Sequence, residues 1–391
     1  MRTAEKILWI LGIAGFLLGA IGLVQRASSG HVAAGYGTYV PWGLWVAMYA
    51  MLVGMAAGAF LLAAVTYGFG IRSLVPVARP ALLVSLASFA GGMLAIWLDL
   101  GHPLRAWKLM LNTGFSSVMG WMAWFYLAYI VVLGLLVWRT AVLGEKQTGI
   151  VRGLGLVGIP LALALGGGEG ALFGVLGARP FWHSGLTPVM FILEGLLSGA
   201  ALVTFVVVVL QLVEERTGQL MGRIVLGLLA LFIVFEWAEV SIGYYASIPA
   251  YAESLRLVLF GEYAWVFWGV HLGLGVAVPL VFLLVAARSK GMVALAAALI
   301  AVTALTTKLN LVIPGLAVPE FEGLRDAYTG PGLSFQYFPT TMEWLVGLWI
   351  AAVAGLVFLA TYRIAGKLAA RPEARGEPAG TRASDKLALQ G

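Results

Sequence analysis

The chain has 391 residues, of which 61% are hydrophobic and only 11% are charged, and its mean hydropathy is +0.96. This composition excludes a soluble globular domain, because such domains carry about 25% charged residues. The net charge of +6 is explained by the Lys and Arg bias of membrane-protein loops, so nucleic acid is not an expected partner. The apolar runs exceed the ~9–11 residues of a barrel strand, so we expect an all-α integral membrane protein.

Windows of about 20 apolar residues predict ten transmembrane helices. In chain order they cover residues 7–24, 41–67, 76–98, 119–140, 151–176, 186–212, 222–245, 263–287, 291–313 and 341–365. The fifth contains a glycine-rich stretch, 166–170, that interrupts its apolar run. The first predicted helix follows Arg2 and Lys6, as the apolar core of a signal peptide follows basic residues. However, its apolar run is longer than the ~7–15 residues usual in a signal peptide. We therefore expect this first helix to be retained.

Positive charge is distributed unevenly between the two sides of the membrane. With the N-terminus inside, seventeen of the 24 Lys and Arg residues fall in inner segments or in the C-terminal tail. Because such segments stay in the cytoplasm, we expect both termini there, in a multi-pass protein of the cell inner membrane. The residues after 367 are polar and rich in Pro and Gly. This predicts a transmembrane domain at 1–367 and a disordered cytoplasmic tail at 368–391.

Cysteine is absent from the sequence, and only four histidines are present. The lack of cysteine excludes thiolate-held iron–sulfur clusters, covalently attached haem and disulfides within this chain. Of the histidines, His271 alone lies well inside a predicted span, which argues against a haem held by two histidines. We therefore expect no metal or haem here, and any redox centre to be a diffusible ligand or to belong to a partner.

Ionisable residues within the predicted spans lie mostly toward the outer side. A charge at the centre of a membrane helix costs roughly 2.5–3.5 kcal/mol on insertion scales, so such residues usually line a polar interior. They are Asp99, Glu169, Glu194, Glu236, Glu239, Lys308 and Glu343. Glu236 and Glu239 are three residues apart and share a helix face. Lys308 and Glu343 flank the last outer loop and could pair. Each acid could alternatively serve as a structural hydrogen bond between helices.

Two outer loops carry polar side chains suited to binding. Residues 99–108 combine an acid, a histidine, an arginine and an indole at the membrane boundary. This pattern suits a polar pocket for an amphiphile, and the alternative is an interfacial anchor. The loop 314–340 is too long and mixed in character for a simple connector, so we expect it to dock a protein partner.

A glycine pair with a spacing of four occurs in two of the predicted spans. Gly54 and Gly58 lie in the second span, and Gly195 and Gly199 lie in the sixth. Such pairs permit close helix contact, which is the interpretation we adopt. Their similar surroundings also suggest a faint repeat of four helices, so we expect two four-helix bundles with flanking helices.

Six stretches carry recognisable motifs. They are Pro41-Trp-Gly-Leu-Trp-Val-Ala-Met-Tyr49, Val53-Gly-Met-Ala-Ala-Gly-Ala-Phe60, Asp99-Leu-Gly-His-Pro-Leu-Arg-Ala-Trp107, Ala178-Arg-Pro-Phe-Trp-His-Ser-Gly-Leu-Thr-Pro188, Lys308-Leu-Asn-Leu-Val-Ile313 and Tyr337-Phe-Pro-Thr-Thr-Met-Glu343. Together they resemble the NrfD/PsrC family, the membrane subunits of polysulfide-reductase-type respiratory complexes, and ten helices resemble its longer branch. The sequence departs from the family pattern at His102 and Lys308, where Arg is common, and at Glu169, where an aromatic residue is usual.

The resemblance implies a function in anaerobic respiration. It implies an exchangeable quinone or menaquinone near the outer face, an iron–sulfur subunit on the outer loops and a catalytic subunit of molybdopterin or hydrogenase type, with membrane lipid around the protein. In this interpretation the head-group pocket consists of Tyr39, Asp99, His102, Arg105 and Trp107. His102 and Asp99 are the catalytic pair, because a quinol needs a base for its hydroxyl groups. The proton-transfer residues are Glu169, Glu194, Glu236, Glu239, Lys308 and Glu343.

Two other functions fit ten helices with buried acids. A secondary transporter is one, but transporter sites lie near the membrane midplane and often between inverted repeats. Here the acids are off-centre, and both copies of the candidate repeat run from the outer side inward. A passive membrane anchor for a respiratory complex is the other, and it would leave the buried acids unexplained.

Overall fold

The computed structural model describes residues 3–245, 248–285, 288–321, 323–328, 330 and 332–369, and within these ranges the protein is helical with turns and loops. Ten helices in this part of the sequence are long and apolar enough to cross a membrane. We number them α1 Thr3–Ser29, α2 Leu44–Phe69, α3 Arg72–Asp99, α4 Val118–Val142, α5 Gly149–Gly174, α6 Thr187–Val209, α7 Glu215–Tyr245, α8 Val266–Val285, α9 Lys290–Ala317 and α10 Thr341–Leu368. The predicted all-α membrane fold is thus confirmed, whereas the side on which the termini lie stays a prediction.

Helix α5 is continuous through its glycine-rich stretch, because those glycines face neighbouring helices. A Cβ atom on Gly170 would lie 2.5 Å from the Cα atom of Pro188 in α6. A Cβ on Gly167 would lie 3.2 Å from a side-chain carbon of Ile192, also in α6. The glycines therefore allow α5 and α6 to approach closely rather than breaking the helix.

The glycine pairs of α2 and α6 pack against each other near the centre of the molecule. A Cβ atom on Gly58 would lie 1.9 Å from the carbonyl oxygen of Gly195, and one on Gly195 would lie 2.7 Å from that of Gly54. Only glycine allows the two backbones to come this close. Helices α2–α5 form one group and α6–α9 another, joined mainly along this contact. The arrangement agrees with the expected two four-helix bundles.

Helices α1 and α10 pack side by side outside these two groups, and α10 also contacts α3. A stripe of glycines in α1 allows this contact. A Cβ on Gly19 would lie 2.6 Å from the backbone nitrogen of Trp349, and one on Gly22 would lie 2.5 Å from the Cβ of Leu345. Helix α10 continues to Ala369, and the predicted disordered tail lies outside the described residues from 370 onward.

The connections between helices are longer at one end of the molecule than at the other. The connections 30–43, 100–117, 175–186, 246–265 and 318–340 lie at what we call the loop-rich end, and the connection 246–265 contains a short helix, Pro249–Leu259. The first part of α8, Val266–Ala277, is a π-helix, with wider turns than an α-helix. Such segments are often found at functional sites. All seven ionisable residues predicted to be buried lie in the halves of their helices nearest the loop-rich end.

Candidate functional site

A polar cluster with unused hydrogen-bonding capacity lies where α3 reaches the loop-rich end. The Oδ1 atom of Asp99 and the hydroxyl group of Tyr36 are both buried, and neither has a hydrogen-bond partner among the described residues. The guanidinium of Arg26 donates to the carbonyl oxygens of Leu98 at 3.0 Å and Leu100 at 3.2 Å. Buried polar atoms are rarely left unpaired, so the Asp99 and Tyr36 atoms mark a place where a polar ligand can bind.

Aromatic rings enclose this cluster on the side of α2. The rings of His31 and Tyr36 meet edge to face at 5.3 Å, and Tyr36 meets Trp45 at 6.0 Å. Burial, together with the adjacent charge of Arg26, lowers the pKa of His31, whose Nε2 atom accepts a hydrogen bond from that guanidinium. Burial raises the pKa of Tyr36, and the nearby Asp99 and Glu343 carboxylates add to this shift. Tyr36 is therefore a hydrogen-bond donor at neutral pH.

Glu343, at the start of α10, joins three segments of the protein beside this cluster. Its Oε2 atom accepts hydrogen bonds from the backbone N–H groups of Gly35 at 2.7 Å and Thr340 at 2.9 Å. Its Oε1 atom accepts from the hydroxyl group of Tyr337 at 2.5 Å, and that hydroxyl accepts from the Leu44 N–H at 2.7 Å. The carboxylate thus fixes the loop 30–43 and the segment 332–343 to the start of α2.

The suggestion that Lys308 and Glu343 could pair is wrong. Lys308 instead forms a buried ion pair with Glu194 of α6, and its Nζ atom lies 3.2 Å from the centroid of the Phe191 ring. The reason is geometric: this face of α9 packs on α6, whereas Glu343 is fully bonded to the loops. Two residues that flank one loop in the sequence therefore belong to different sites.

A second buried pair lies close to this one, between α7 and α8. The Nε2 atom of His271 and the Oε1 atom of Glu236 are 2.5 Å apart, and Nδ1 of the same ring lies 3.3 Å from the Thr307 hydroxyl. A cavity of about 80 Å³ is bordered by Glu194, Glu236, Glu239 and His271. The prediction that Glu236 and Glu239 share one helix face is confirmed, since both border this cavity.

Glu169 lies inside the group α2–α5 and has no hydrogen bond to these pairs, although it is close enough to feel the charge of Lys308. Its side chain is fully buried, and neither carboxyl oxygen has a hydrogen-bond partner among the described residues. The hydroxyl groups of Tyr49 and Tyr126, which contact each other, lie close to it. The three residues form a polar cluster in an otherwise apolar interior.

Four of the five predicted head-group residues do not contact Asp99. Tyr39 stacks on Phe335, with ring centroids 4.3 Å apart. His102, Arg105 and Trp107 are exposed on the short turn after α3. Within the described part of the sequence, none of these four forms a hydrogen bond or ring contact with Asp99. Their roles, and the proton-transfer roles of the buried acids, stay predictions.

Three residues next to Asp99 were missed by the sequence analysis: Arg26, His31 and Tyr36. Arg26 entered the sequence analysis only in the count of positive charges that orients the protein in the membrane. The segment 30–43 contains few polar residues. The one available signal was position, because His31 and Tyr36 lie shortly before the motif that begins at Pro41. Among the described residues, no three His, Asp or Glu side chains converge as metal ligands would, and the absence of a metal or haem stays a prediction.

In the described ranges, ten helices long and apolar enough to cross a membrane, with buried charges toward one loop-rich end, define a multi-pass helical integral membrane protein. This chain belongs to the polysulphide reductase NrfD family, whose model matches residues 33–320. The resemblance inferred from the sequence motifs is therefore confirmed, as is the multi-pass membrane location.

Relatives in the family are membrane subunits of reductase complexes. The protein is 29% identical over 389 residues to a selenate reductase subunit of Mesobacillus selenatarsenatis, covering 89% of this sequence and 91% of the relative. It is 25% identical over 342 residues to an Hdr-like menaquinol oxidoreductase integral membrane subunit of Archaeoglobus fulgidus, covering 83% and 84%. It is 27% identical over 271 residues to a polysulfide reductase subunit of Wolinella succinogenes, covering 63% and 83%. The protein is thus a membrane subunit of the NrfD type.

Proposed function

We propose that the protein is the quinone-reactive membrane subunit of a multi-subunit oxidoreductase. The observation that carries this proposal is the pair of buried, unpaired polar atoms on Asp99 and Tyr36 at the loop-rich end. Two relatives support the ligand, because their names are menaquinol oxidoreductase and menaquinone reductase integral membrane subunits. The cluster lies at the end of α3, at the loop-rich end of the bundle.

The two unpaired atoms match the two needs of a quinone head group. The Tyr36 hydroxyl donates a hydrogen bond to a carbonyl oxygen, and the Asp99 carboxyl accepts a proton from a hydroxyl group. Arg26 is held by the carbonyls of Leu98 and Leu100, so its charge stays close to Asp99 without blocking the Oδ1 atom. His102 lies on the exposed turn that follows, and its role in this proposal is to pass protons between the site and water. A bound quinol would supply electrons as its hydroxyl protons leave, and a bound quinone would accept electrons in the reverse direction.

The partner docking surface in this proposal is the turn between α3 and α4. Large apolar side chains are exposed there, among them Leu104, Trp107, Leu111 and Phe115. An exposed apolar patch of this kind at a polar end indicates a protein interface. The partner is an iron–sulfur subunit, and it connects the quinone to a catalytic subunit of molybdopterin or hydrogenase type. Trp107 and Arg105 then contact the partner rather than the quinone ring.

In this scheme the buried acids carry protons between the quinone site and water. Glu194, Glu236, Glu239 and His271 border one cavity, and Glu194 is paired with Lys308. Glu169, with Tyr49 and Tyr126, forms a second polar cluster in the other helix group. Carboxyl and imidazole groups can accept and release protons where the surrounding interior is apolar.

The test compares quinol-dependent turnover of the whole complex with its turnover on a soluble dye donor that bypasses the membrane subunit. Asp99→Asn should lower the quinol-dependent rate by about 100-fold, the scale of a lost proton acceptor, with the dye-dependent rate unchanged. Glu214→Gln, which neutralises an exposed acid between α6 and α7 at the opposite end of the bundle, is the matched control and should leave both rates unchanged. Equal quinol-dependent rates in wild type and Asp99→Asn would contradict the proposal and favour a passive anchor.

A further inference from the structure

A cavity separate from the Asp99 cluster lies at the loop-rich end, between α8, α9, α10 and the segment 336–339. Its volume is about 440 Å³, within the ~300–1,000 Å³ typical of small-molecule sites. Most of its wall is apolar, formed by side chains such as Val270, Leu309, Ile313, Phe338 and Trp344. Its wall includes none of Arg26, His31, Tyr36 or Asp99, so it is not part of the Asp99 cluster.

Among the buried side-chain nitrogen and oxygen atoms of the lining residues, all but one are bonded within the described part of the protein. The Nε2 atom of Gln336 donates to Glu262 at 2.7 Å, and the Thr306 hydroxyl donates to the Thr303 carbonyl at 2.6 Å. The exception is Asn310, whose Nδ2 atom is buried and has no partner among the described residues. Asn310 lines the cavity, so its unpaired side-chain amide is the group in this wall that an acceptor on a ligand would satisfy.

The charge of the wall restricts the chemistry of that ligand. Its lining residues include no Lys or Arg, so a phosphate or carboxylate head group would have no countercharge. Its single acid, Glu262, is bonded to Gln336. Trp265 and Trp344 border the cavity and are 60% and 44% exposed, at the depth where tryptophans meet the membrane interface. An uncharged ring with a carbonyl acceptor and an apolar tail fits these features.

We propose that this cavity is a second quinone site, in which the Nδ2 atom of Asn310 donates to a ring carbonyl oxygen. The identity of the ligand class rests on the proposed function, whereas the cavity and its unpaired donor do not. Asn310 also borders the smaller cavity that contains Glu239 and His271. The Asn310 side chain thus separates the proposed quinone ring from the acidic cavity, and it would hold the ring against the wall that the two cavities share.

The experiment uses the intact complex in lipid nanodiscs with an azido-naphthoquinone carrying an isoprenoid tail, photo-crosslinked and mapped by mass spectrometry. We expect two labelled regions, one within 26–36 and 96–102 and the other within 265–270 and 336–344. Asn310→Leu, which keeps the approximate size but removes the donor, should weaken labelling of the second region by about tenfold and leave the first unchanged. Thr306→Val is the matched control, because it removes a hydroxyl that is already bonded, and should leave both regions labelled.

A second variant distinguishes loss of the binding site from misfolding of the protein. Ile313→Trp fills the cavity while Asn310 itself is kept, and it should also remove labelling of the second region only. Labelling confined to the Asp99 region in wild type would overturn the second site and leave the proposed function standing, whereas absence of label from both regions would contradict both. Competition by excess phospholipid but not by excess menaquinone would also overturn the proposal, because the occupant would then be a lipid.

Discussion

The Nε2 atom of His271 and the Oε1 atom of Glu236 lie 2.5 Å apart, which joins α8 to α7 in the apolar interior. The ring of His271 also approaches Thr307 of α9, so three helices meet at this side chain. His271 lies in the π-helical part of α8, whose wider turns shift the direction of side chains relative to an α-helix. The pairing of His271 with Glu236 could not be predicted from the sequence, because the π-helical turns change which side of α8 each residue faces.

The neighbouring ion pair gives a prediction about stability. Lys308→Met leaves the Glu194 carboxylate buried without its partner, and breaking a buried pair in this way costs about 3–5 kcal/mol. The double variant Lys308→Met/Glu194→Gln removes both charges and should recover most of that loss. Thermal unfolding midpoints of the detergent-solubilised protein measure both effects. Equal midpoints for the single and double variants would show that the pair is not coupled. Glu236→Gln, which retains an acceptor for His271, is the mild comparison, with a loss of about 1 kcal/mol.

The contact between α2 and α6 predicts an unusually severe effect of one added methyl group. Gly58→Ala would bring a Cβ atom to 1.9 Å from the Gly195 carbonyl oxygen, so the two helices must separate. We expect a loss of about 3 kcal/mol or no folded protein. Gly227→Ala, in α7 where a Cβ atom meets nothing within 4 Å, is the control and should behave as wild type. Size-exclusion profiles after heating provide the measurement, and an unaffected Gly58→Ala would refute this packing.

The position of His31 predicts a loss of stability in mild acid. Its pKa is lowered by burial and by Arg26, so the folded protein favours the neutral ring more than the unfolded protein does. Such a group contributes stability that is present above its unfolded pKa of about 6.5 and is lost as the pH falls through the lower folded value. The unfolding midpoint of wild type should therefore fall between pH 7 and pH 5. His31→Gln should reduce this fall, and an identical fall in both proteins would exclude His31 as its cause.

The exposed turn after α3 predicts where the partner subunit binds. Trp107→Ser removes an indole that is 57% exposed, and we expect the iron–sulfur subunit to be lost from the purified complex. Phe69→Ser makes a comparable change at the opposite end of the bundle, where Phe69 is 64% exposed, and should leave the complex intact. Subunit stoichiometry on a native gel measures the difference. Retention of all subunits in Trp107→Ser would exclude this turn as the main contact.

Much of the architecture could be predicted because hydrophobicity along the sequence reports membrane spans directly. The ten helices, the close glycine contacts and the clustering of ionisable residues at one end all follow from local patterns. The partners of those residues do not, since Lys308 meets Glu194 rather than Glu343 only through the way α9 lies on α6. Arg26, Tyr36 and Asn310 were also overlooked, because an ordinary polar residue gains significance only when the fold buries it beside others.

The hydrogen bonds of Glu343 have a mechanical consequence for the whole subunit. This carboxylate ties the loop 30–43 to the first turn of α10, and α10 itself packs along α1 at the margin of the bundle. A small tilt of the α1–α10 pair would therefore displace Tyr36 relative to Asp99. If the cluster binds a quinone as proposed, we therefore expect a change in lipid thickness to alter quinone affinity through Glu343 and the α1–α10 pair.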